Sequence, residues 1–412
     1  MSESLCRKFA VFLNRNIICI LLRFAGIFFL YGYLNWFLYI ELVTLAGPYI
    51  TGLIIFVLFI LNSISLFLGG VFADRLGRRR VLVIGSVIFV VGFLLLLLYY
   101  CTEDVLLKTL LLALSVIVLF GLGDFDDPAT HAMISESVPR HCVARALSIF
   151  KVSRAVLASL GSAALATVNP FYIQLIVLLC IPVVIATSLA TRETIQIGIE
   201  TTSTRTTSRV TLRDLLPQVR SIATSPGRHL PIAMLILRLG IGVTSGYVAH
   251  YLATVKELSR ELIGIIYAVS NLCEIAAFAT MSLLREAKTA AHVAVVLVIV
   301  DSAVLLAIPV TQGLLLAILI PLHRVLARYT LDALMSLIVL LVSDSRTRGT
   351  LYGITYALGC AHGIGSLIGG CIYAWNPHMV FIVSSIVVAS SSLLFTSTFR
   401  EYTRRAQVLT SA

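Results

Sequence analysis

The sequence predicts an all-α membrane protein, with twelve transmembrane helices in two pseudo-symmetric six-helix bundles. Three observations lead there: repeated long apolar runs, a one-sided distribution of Lys and Arg, and a faint likeness between the two halves. Of 412 residues, 59% are hydrophobic and 12% are charged, and the mean hydropathy is +1.00. Soluble domains average about 45–50% apolar and about 25% charged. Because the excess is spread in separate apolar segments, a chain that crosses the bilayer many times is expected.

A crossing helix needs about 20 mostly apolar residues. Twelve segments qualify, at 17–42, 49–73, 81–100, 108–134, 143–167, 171–190, 230–252, 262–284, 291–309, 313–340, 349–374 and 379–398. Counting alternate sides from a cytoplasmic N-terminus, 22 of the 31 Lys and Arg residues fall inside, and only Lys108, Lys256 and Arg260 fall outside. Such a bias orients the chain. It predicts a multi-pass protein of the cell membrane with both termini cytoplasmic, and it accounts for the net charge of +11 without nucleic acid. The first residues, MSESLCRKFAVFLNRN, have no small-residue cleavage site behind an apolar core, so no removable signal peptide is expected.

Residues 190–229 interrupt the apolar rhythm. ETTSTRTTSR is polar, and TLRDLLPQVRSIA follows as an amphipathic interfacial segment, with Thr211 and Asp214 at capping-box spacing. The expected domains are therefore an N-terminal bundle (1–190), a cytoplasmic linker (191–229) and a C-terminal bundle (230–412). An offset of 212 places Gly52 on Gly264, Asn62 on Glu274 and Asp74 on Glu286. The starts of spans one and seven, ICILLRFAG and AMLILRLGIG, carry Arg23 and Arg238 at matching places. RGTLYGITYALGCAHGIGSLIGG echoes VARALSIFKVSRAVLASLGSA in the later spans, and the common order of these matches points to a duplicated unit.

The eight cysteines are scattered without paired spacing and mostly lie in apolar runs, so neither disulfides nor a metal site is expected. No cofactor motif is present. A charged residue inside a span is costly and faces a cavity or a partner. Away from their ends, the spans contain the cations Arg23, Lys151, Arg154, Arg238, Arg324 and Arg328, and the acids Asp124, Asp126, Asp127, Glu274, Asp301 and Asp332. Eight of these twelve lie on spans one, four, seven and ten, and only Asp301 lies on a span of the set three, six, nine and twelve.

Helical spacing gives two groups: Arg324, Arg328 and Asp332 on one face of span ten, and Asp124, Asp127 and His131 on one face of span four. These charges suit a substrate or proton cavity, or else a structural ion-pair network. Asp126 points elsewhere, toward Lys151 or Arg154. Arg23 and Arg238 lie near cytoplasmic ends, where they either pair or snorkel. In FFLYGYLNWFLY, Asn35 and Trp36 are candidate cavity contacts within a stretch that otherwise reads as an interfacial aromatic belt.

Between spans two and three stands GGVFADRLGRRRVLVIG. Gly70, Ala73 and Gly77 permit close approach and a tight turn, and Asp74 and Arg78 are placed to pair across one helical turn. This stretch resembles the signature G-x-L-A-D-R-x-G-R-K-x-x-L of the major facilitator superfamily of transporters. Gly70, Ala73, Asp74, Arg75, Gly77, Arg78 and Leu82 match; Phe72 replaces Leu and Arg79 replaces Lys.

The resemblance implies alternating access between two bundles, with spans one, four, seven and ten lining the cavity and Asp74, Arg75 and Arg78 in a cytoplasmic gating network. It implies a secondary active transporter for a small-molecule solute, acting as a monomer in the lipid bilayer, and the in-span Asp124, Asp127 and His131 facing Arg324, Arg328 and Asp332 make protons the candidate coupling ion. The alternatives are an uncoupled facilitator or a carrier coupled to another ion. Two family features are missing: Ile117 stands where proton-coupled members often carry an arginine before Gly121, and LASLGSAALATV lacks the proline of drug antiporters.

A remote alternative is an intramembrane aspartyl protease, because residues 121–124 read Gly-Leu-Gly-Asp. The partner Tyr-Asp pair and the Pro-Ala-Leu segment of that family are absent from the sequence. No nucleotide-binding signature points to an ATP-driven pump, and a transporter, not an enzyme, is expected. The topology has a direct check. Cysteines introduced at positions 1, 205 and 412 should resist an impermeant thiol reagent in intact cells and react after permeabilisation; labelling at 205 from outside contradicts the twelve-span arrangement.

Overall fold

Gly47 and Pro48 make the first long helical stretch into two helices. The computed structural model describes residues 14–139, 142–194, 230–281, 287–326 and 359–411. Its first element, α1 (Arg15–Leu76), spans 62 residues, too many for one crossing. At Gly47 the backbone takes φ 77° and ψ 164°, outside the helical range. Pro48 has no N–H to continue the ladder, and the Thr51 hydroxyl donates to the Gly47 carbonyl at 2.8 Å. The expected first and second spans are the two arms of α1.

Gly77 then turns the chain into α2 (Arg78–Cys101). The fourth span is discontinuous. Helix α3 (Val105–Val116) passes into a π-helical turn at Ile117–Leu122, a 3-10 turn at Gly123–Asp126, and α4 (Asp127–Glu136). Next come α5 (Val143–Ala166) and α6 (Pro170–Ala190). Beyond the linker lie α7 (Leu230–Ser245), α8 (Val248–Thr254), α9 (Arg260–Met281), α10 (Ala287–Ala307), α11 (Gly313–Arg324), α12 (Gly359–Trp375) and α13 (Met379–Ser411).

Among the described residues, eight helical segments are long and apolar enough to cross a membrane, and one of them is the double-length α1. The rest of span ten, the start of span eleven and the linker segment with Thr211 and Asp214 lie outside the described residues. The described elements are helical throughout. Large apolar side chains such as Phe67, Leu106, Val310, Leu314 and Leu393 are exposed, as they are in a protein whose solvent is hydrocarbon.

Two compact units divide the chain: residues 1–199 with 249–275, and residues 200–248 with 276–412. Within the first, α1 and α5 meet backbone to backbone. A Cβ on Gly32 would lie 1.9 Å from the Ala158 carbonyl oxygen, and one on Gly161 would lie 1.7 Å from that of Phe29. The Ser162 hydroxyl donates to the Gly32 carbonyl at 2.5 Å. Apolar side chains gain little by leaving lipid for one another, so close packing at small residues and hydrogen bonds must hold such helices together.

The second unit repeats the device between α7 and α12. A Cβ on Gly242 would lie 2.1 Å from the His362 carbonyl oxygen, and one on Gly365 would lie 2.1 Å from that of Leu239. Ser366, directly after Gly365, donates to the Gly242 carbonyl at 2.9 Å. The glycine-serine echo of the sequence is thus the same joint built twice.

Glycine is required at these joints because the neighbour is main chain and has nowhere to move. Gly161→Ala should lower the apparent melting temperature of detergent-solubilised protein by several degrees, matching an overpacking cost of about 1–3 kcal/mol. At Gly70 the nearest atom to a new Cβ is Pro128 Cβ at 3.9 Å, so Gly70→Ala should melt like the parent in fluorescence-detected size exclusion.

Candidate functional site

The charged knot is assembled by local geometry. Gly77, at φ 93°, joins α1 to α2, a backbone conformation L side chains rarely adopt. The turn brings Arg78 Nη1 to 2.7 Å from Asp74 Oδ1 and Arg78 Nη2 to 3.3 Å from Glu136 Oε1 at the end of α4. Arg78 is mostly buried and Asp74 is 75% exposed, so the guanidinium is the fixed member and the aspartate is the member open to other partners. Arg75 and Arg79 are exposed.

The close approach expected at Gly70 falls one residue earlier. A Cβ on Gly69 would lie 1.7 Å from the Phe125 carbonyl oxygen, and Ala73 packs with Val81, Phe125 and Ala129.

The fourth span carries the second group of charges, arranged differently from the expectation. In the π and 3-10 turns the regular ladder is broken, and side chains of α1 serve the released carbonyls. Tyr31 Oη donates to the Leu119 oxygen, Asn62 Nδ2 to that of Phe120 at 3.2 Å, and Ser65 Oγ to that of Leu122 at 3.1 Å. The change of helical pitch separates residues assigned to one face. Asp124 accepts from Asn62 Nδ2 at 2.8 Å, whereas His131 lies 3.8 Å from the Asp127 carboxylate and meets the Phe150 ring of α5 edge to face.

Asp126 turns neither to Lys151 nor to Arg154. Its Oδ2 lies 2.5 Å from Arg23 Nη2, with both side chains buried. Arg23 therefore does not snorkel. Its Nε donates to Ser86 Oγ at 3.1 Å, and its guanidinium stacks over the Phe24 and Phe89 rings at 4.6 and 5.6 Å. Gly85 makes the room: a Cβ there would lie 2.5 Å from Asp126 Cγ. Ser86 in turn shares a 2.6 Å hydrogen bond with Ser188 of α6.

Trp36 is fully buried, so it is not part of an interfacial belt. It packs among Tyr33, Phe37 and Tyr267, and Asn35 beside it is half-buried. Arg324 is buried in the last turn of α11; Arg328 and Asp332 lie outside the described residues.

Two pairs escape sequence reasoning. His323 Nδ1 lies 2.7 Å from Asp301 Oδ1, both buried, which gives the acid of span nine its partner from span ten. Glu41, at the far end of span one, accepts from Tyr99 Oη at 3.0 Å and pairs with Arg260 at 3.3 Å. His323 was hidden beside the more conspicuous Arg324, and Glu41 by its position at a span boundary.

Breaking a buried pair by removing one partner costs roughly 3–5 kcal/mol, while replacing both with apolar groups is often neutral. Arg23→Leu and Asp126→Leu should each lower the melting temperature of the purified protein sharply. The double variant should recover most of the loss. Equal losses in the two single variants and their sum in the double would mean that the pair contributes no coupling.

Comparison with known proteins adds the family. A model described as Major Facilitator Superfamily matches residues 16–362, and no curated protein matches the chain. Solved structures do match. The nucleoside transporter NupG superposes with a TM-score of 0.70 at 14% identity, covering 94% of this chain and 99% of that one. The human organic anion transporter MFSD10 gives 0.62 at 15% identity, covering 94% and 99%. A D-xylose-proton symporter gives 0.63 at 13%, covering 92% and 96%. At such identities the likeness is one of fold. Since the family model takes in the knot, the broken fourth span and most of the second half, the chain belongs to the Major Facilitator Superfamily.

Proposed function

We propose that this chain is a secondary active transporter that moves a small solute by alternating access, with a proton as the coupling ion. The rocking parts are residues 1–190 and 230–412, tied by a cytoplasmic linker, and the protein acts as a monomer in the cell membrane with both termini cytoplasmic. Asp74, Arg75 and Arg78 gate the cytoplasmic side, with Gly77 shaping the turn. Asp124, Asp127, His131, Asn35 and Trp36 belong to the central cavity from the first half, and Arg324, Arg328 and Asp332 from the second.

One observation supports proton coupling above the others: the buried Arg23–Asp126 pair between the first and fourth spans. While the arginine is near, its positive charge favours the ionised carboxylate. If the contact opens during the cycle, a bare buried charge is costly, and taking up a proton removes it. This supplies a proton step without the arginine missing at Ile117. The D-xylose-proton symporter of similar fold favours the same reading. Asp124 and Asp127 hold Asn62 and His131, contacts suited to a solute's polar groups.

Uptake into proteoliposomes, with and without an imposed proton gradient, tests this. The first panel is nucleosides, pentoses and organic anions, the classes named for the similar structures. Asp126→Asn should abolish gradient-driven accumulation and spare solute exchange between equal pools. Asp124→Asn should weaken apparent affinity severalfold, and Asp74→Asn should cut uptake without loss of membrane insertion. Accumulation that persists in Asp126→Asn, or never responds to the gradient, puts a facilitator or a carrier of another ion first.

A further inference from the structure

The root of the linker is fastened to the knot. Glu193, three residues beyond α6, divides its carboxylate between two backbone donors in the first turn of α2. Oε1 accepts from the Arg78 N–H at 3.0 Å and Oε2 from the Arg79 N–H at 3.1 Å. The first N–H groups of a helix have no partner within it, and a carboxylate there is favoured by both the free donors and the helix dipole.

Glu193 does not act alone. The Thr194 hydroxyl donates to Glu136 Oε2, the carboxylate that also pairs with Arg78. Arg79 Nη2 donates to the Leu189 carbonyl at 2.9 Å. Asn16 and Arg192 exchange two bonds, from the Arg192 N–H at 2.8 Å and from Asn16 Nδ2 at 3.1 Å. Arg15 Nε donates to the Ala190 carbonyl at 2.9 Å. Residues 189–194 are thus stitched to the start of α1, the end of α4 and the start of α2. The bidentate contact is the only one of these that fixes the backbone from which Arg78 reaches Asp74 and Glu136.

We infer that Glu193 is a positioning residue of the cytoplasmic gate: it sets the first turn of α2, so that the geometry of Arg78 and the placement of the linker root change together. The inference rests on the gating reading of Asp74 and Arg78. Its mechanical content is that displacement of the linker withdraws the carboxylate, frees the Arg78 and Arg79 amides and loosens Arg78 from its two acids. Glu193 acts through Arg78 and touches no solute.

Hydrogen exchange of the full-length protein in detergent or nanodiscs tests this without a known substrate. In Glu193→Ala the amides of Arg78 and Arg79 should exchange at least about tenfold faster, since each loses a charge-assisted bond. The cytoplasmic ends at 130–139 and 143–150 should become less protected while the outer ends at 99–108 and 250–260 become more so. A merely structural loosening speeds both ends together, and that result overturns the inference.

Arg78→Ala should shift the ends in the same sense, and the double variant no further than the larger single effect. Additive shifts, or an Arg78→Ala protein that shifts while Glu193→Ala does not, discard Glu193 and leave the gate standing. Silence at Arg78 removes the gate reading, and the inference with it. Glu193→Gln, which keeps the side-chain length and one acceptor, should give an intermediate shift. It serves as the measured variant if Glu193→Ala does not accumulate.

Discussion

Away from water, a charge or a peptide group must find its partner inside the protein, and the buried Arg23–Asp126 ion pair is where the first unit answers that demand for a charge. The Arg23 guanidinium binds Asp126, Ser86 and two aromatic faces, and Ser86 passes the network to Ser188. One ion thereby ties the first, third, fourth and sixth spans. Gly85 leaves the hollow that Asp126 fills, and a Cβ there would run into the Asp126 carboxyl group as it lies in the pair. The broken fourth span obeys the same rule. Its stray carbonyls are met by Tyr31, Asn62 and Ser65 rather than by solvent.

The two units share their joints. Ser162 on Gly32 and Ser366 on Gly242 are one solution used twice, because close backbone approach is a general answer to helix association in lipid. Among the described residues, the two buried ion pairs lie at different places in the two units. The first unit buries Arg23 with Asp126, and the second buries His323 with Asp301 on different spans.

What could be read from the sequence was mostly local. Asp74 and Arg78 are one helical turn apart, and Gly77 marks its own turn, so periodicity and residue type suffice. Arg23 and Asp126 are joined only by tertiary packing, and spacing rules are silent across such distances. The shared face assigned to Asp124, Asp127 and His131 assumed an unbroken α-helix, although Gly121, Gly123 and Pro128 were the available hint of a break. Glu193 went unnoticed because it stands in a polar segment that reads as linker, where a carboxylate attracts no attention until its two backbone donors are in view. The fold itself was legible because hydropathy and the bias of Lys and Arg are physical requirements of a membrane chain.

The π turn at Ile117–Leu122 carries one more residue than an α turn. It works as a phase shifter. An α-helix turns by about 100° per residue, so the wider π turn and the tighter 3-10 turn after it together set the azimuth of the side chains beyond them. Asp126, the last residue of the 3-10 turn, meets Arg23 from this broken stretch. A relative of equal polarity but one residue shorter in this turn would keep the same composition and hydropathy profile, yet present a different set of acids to the interior.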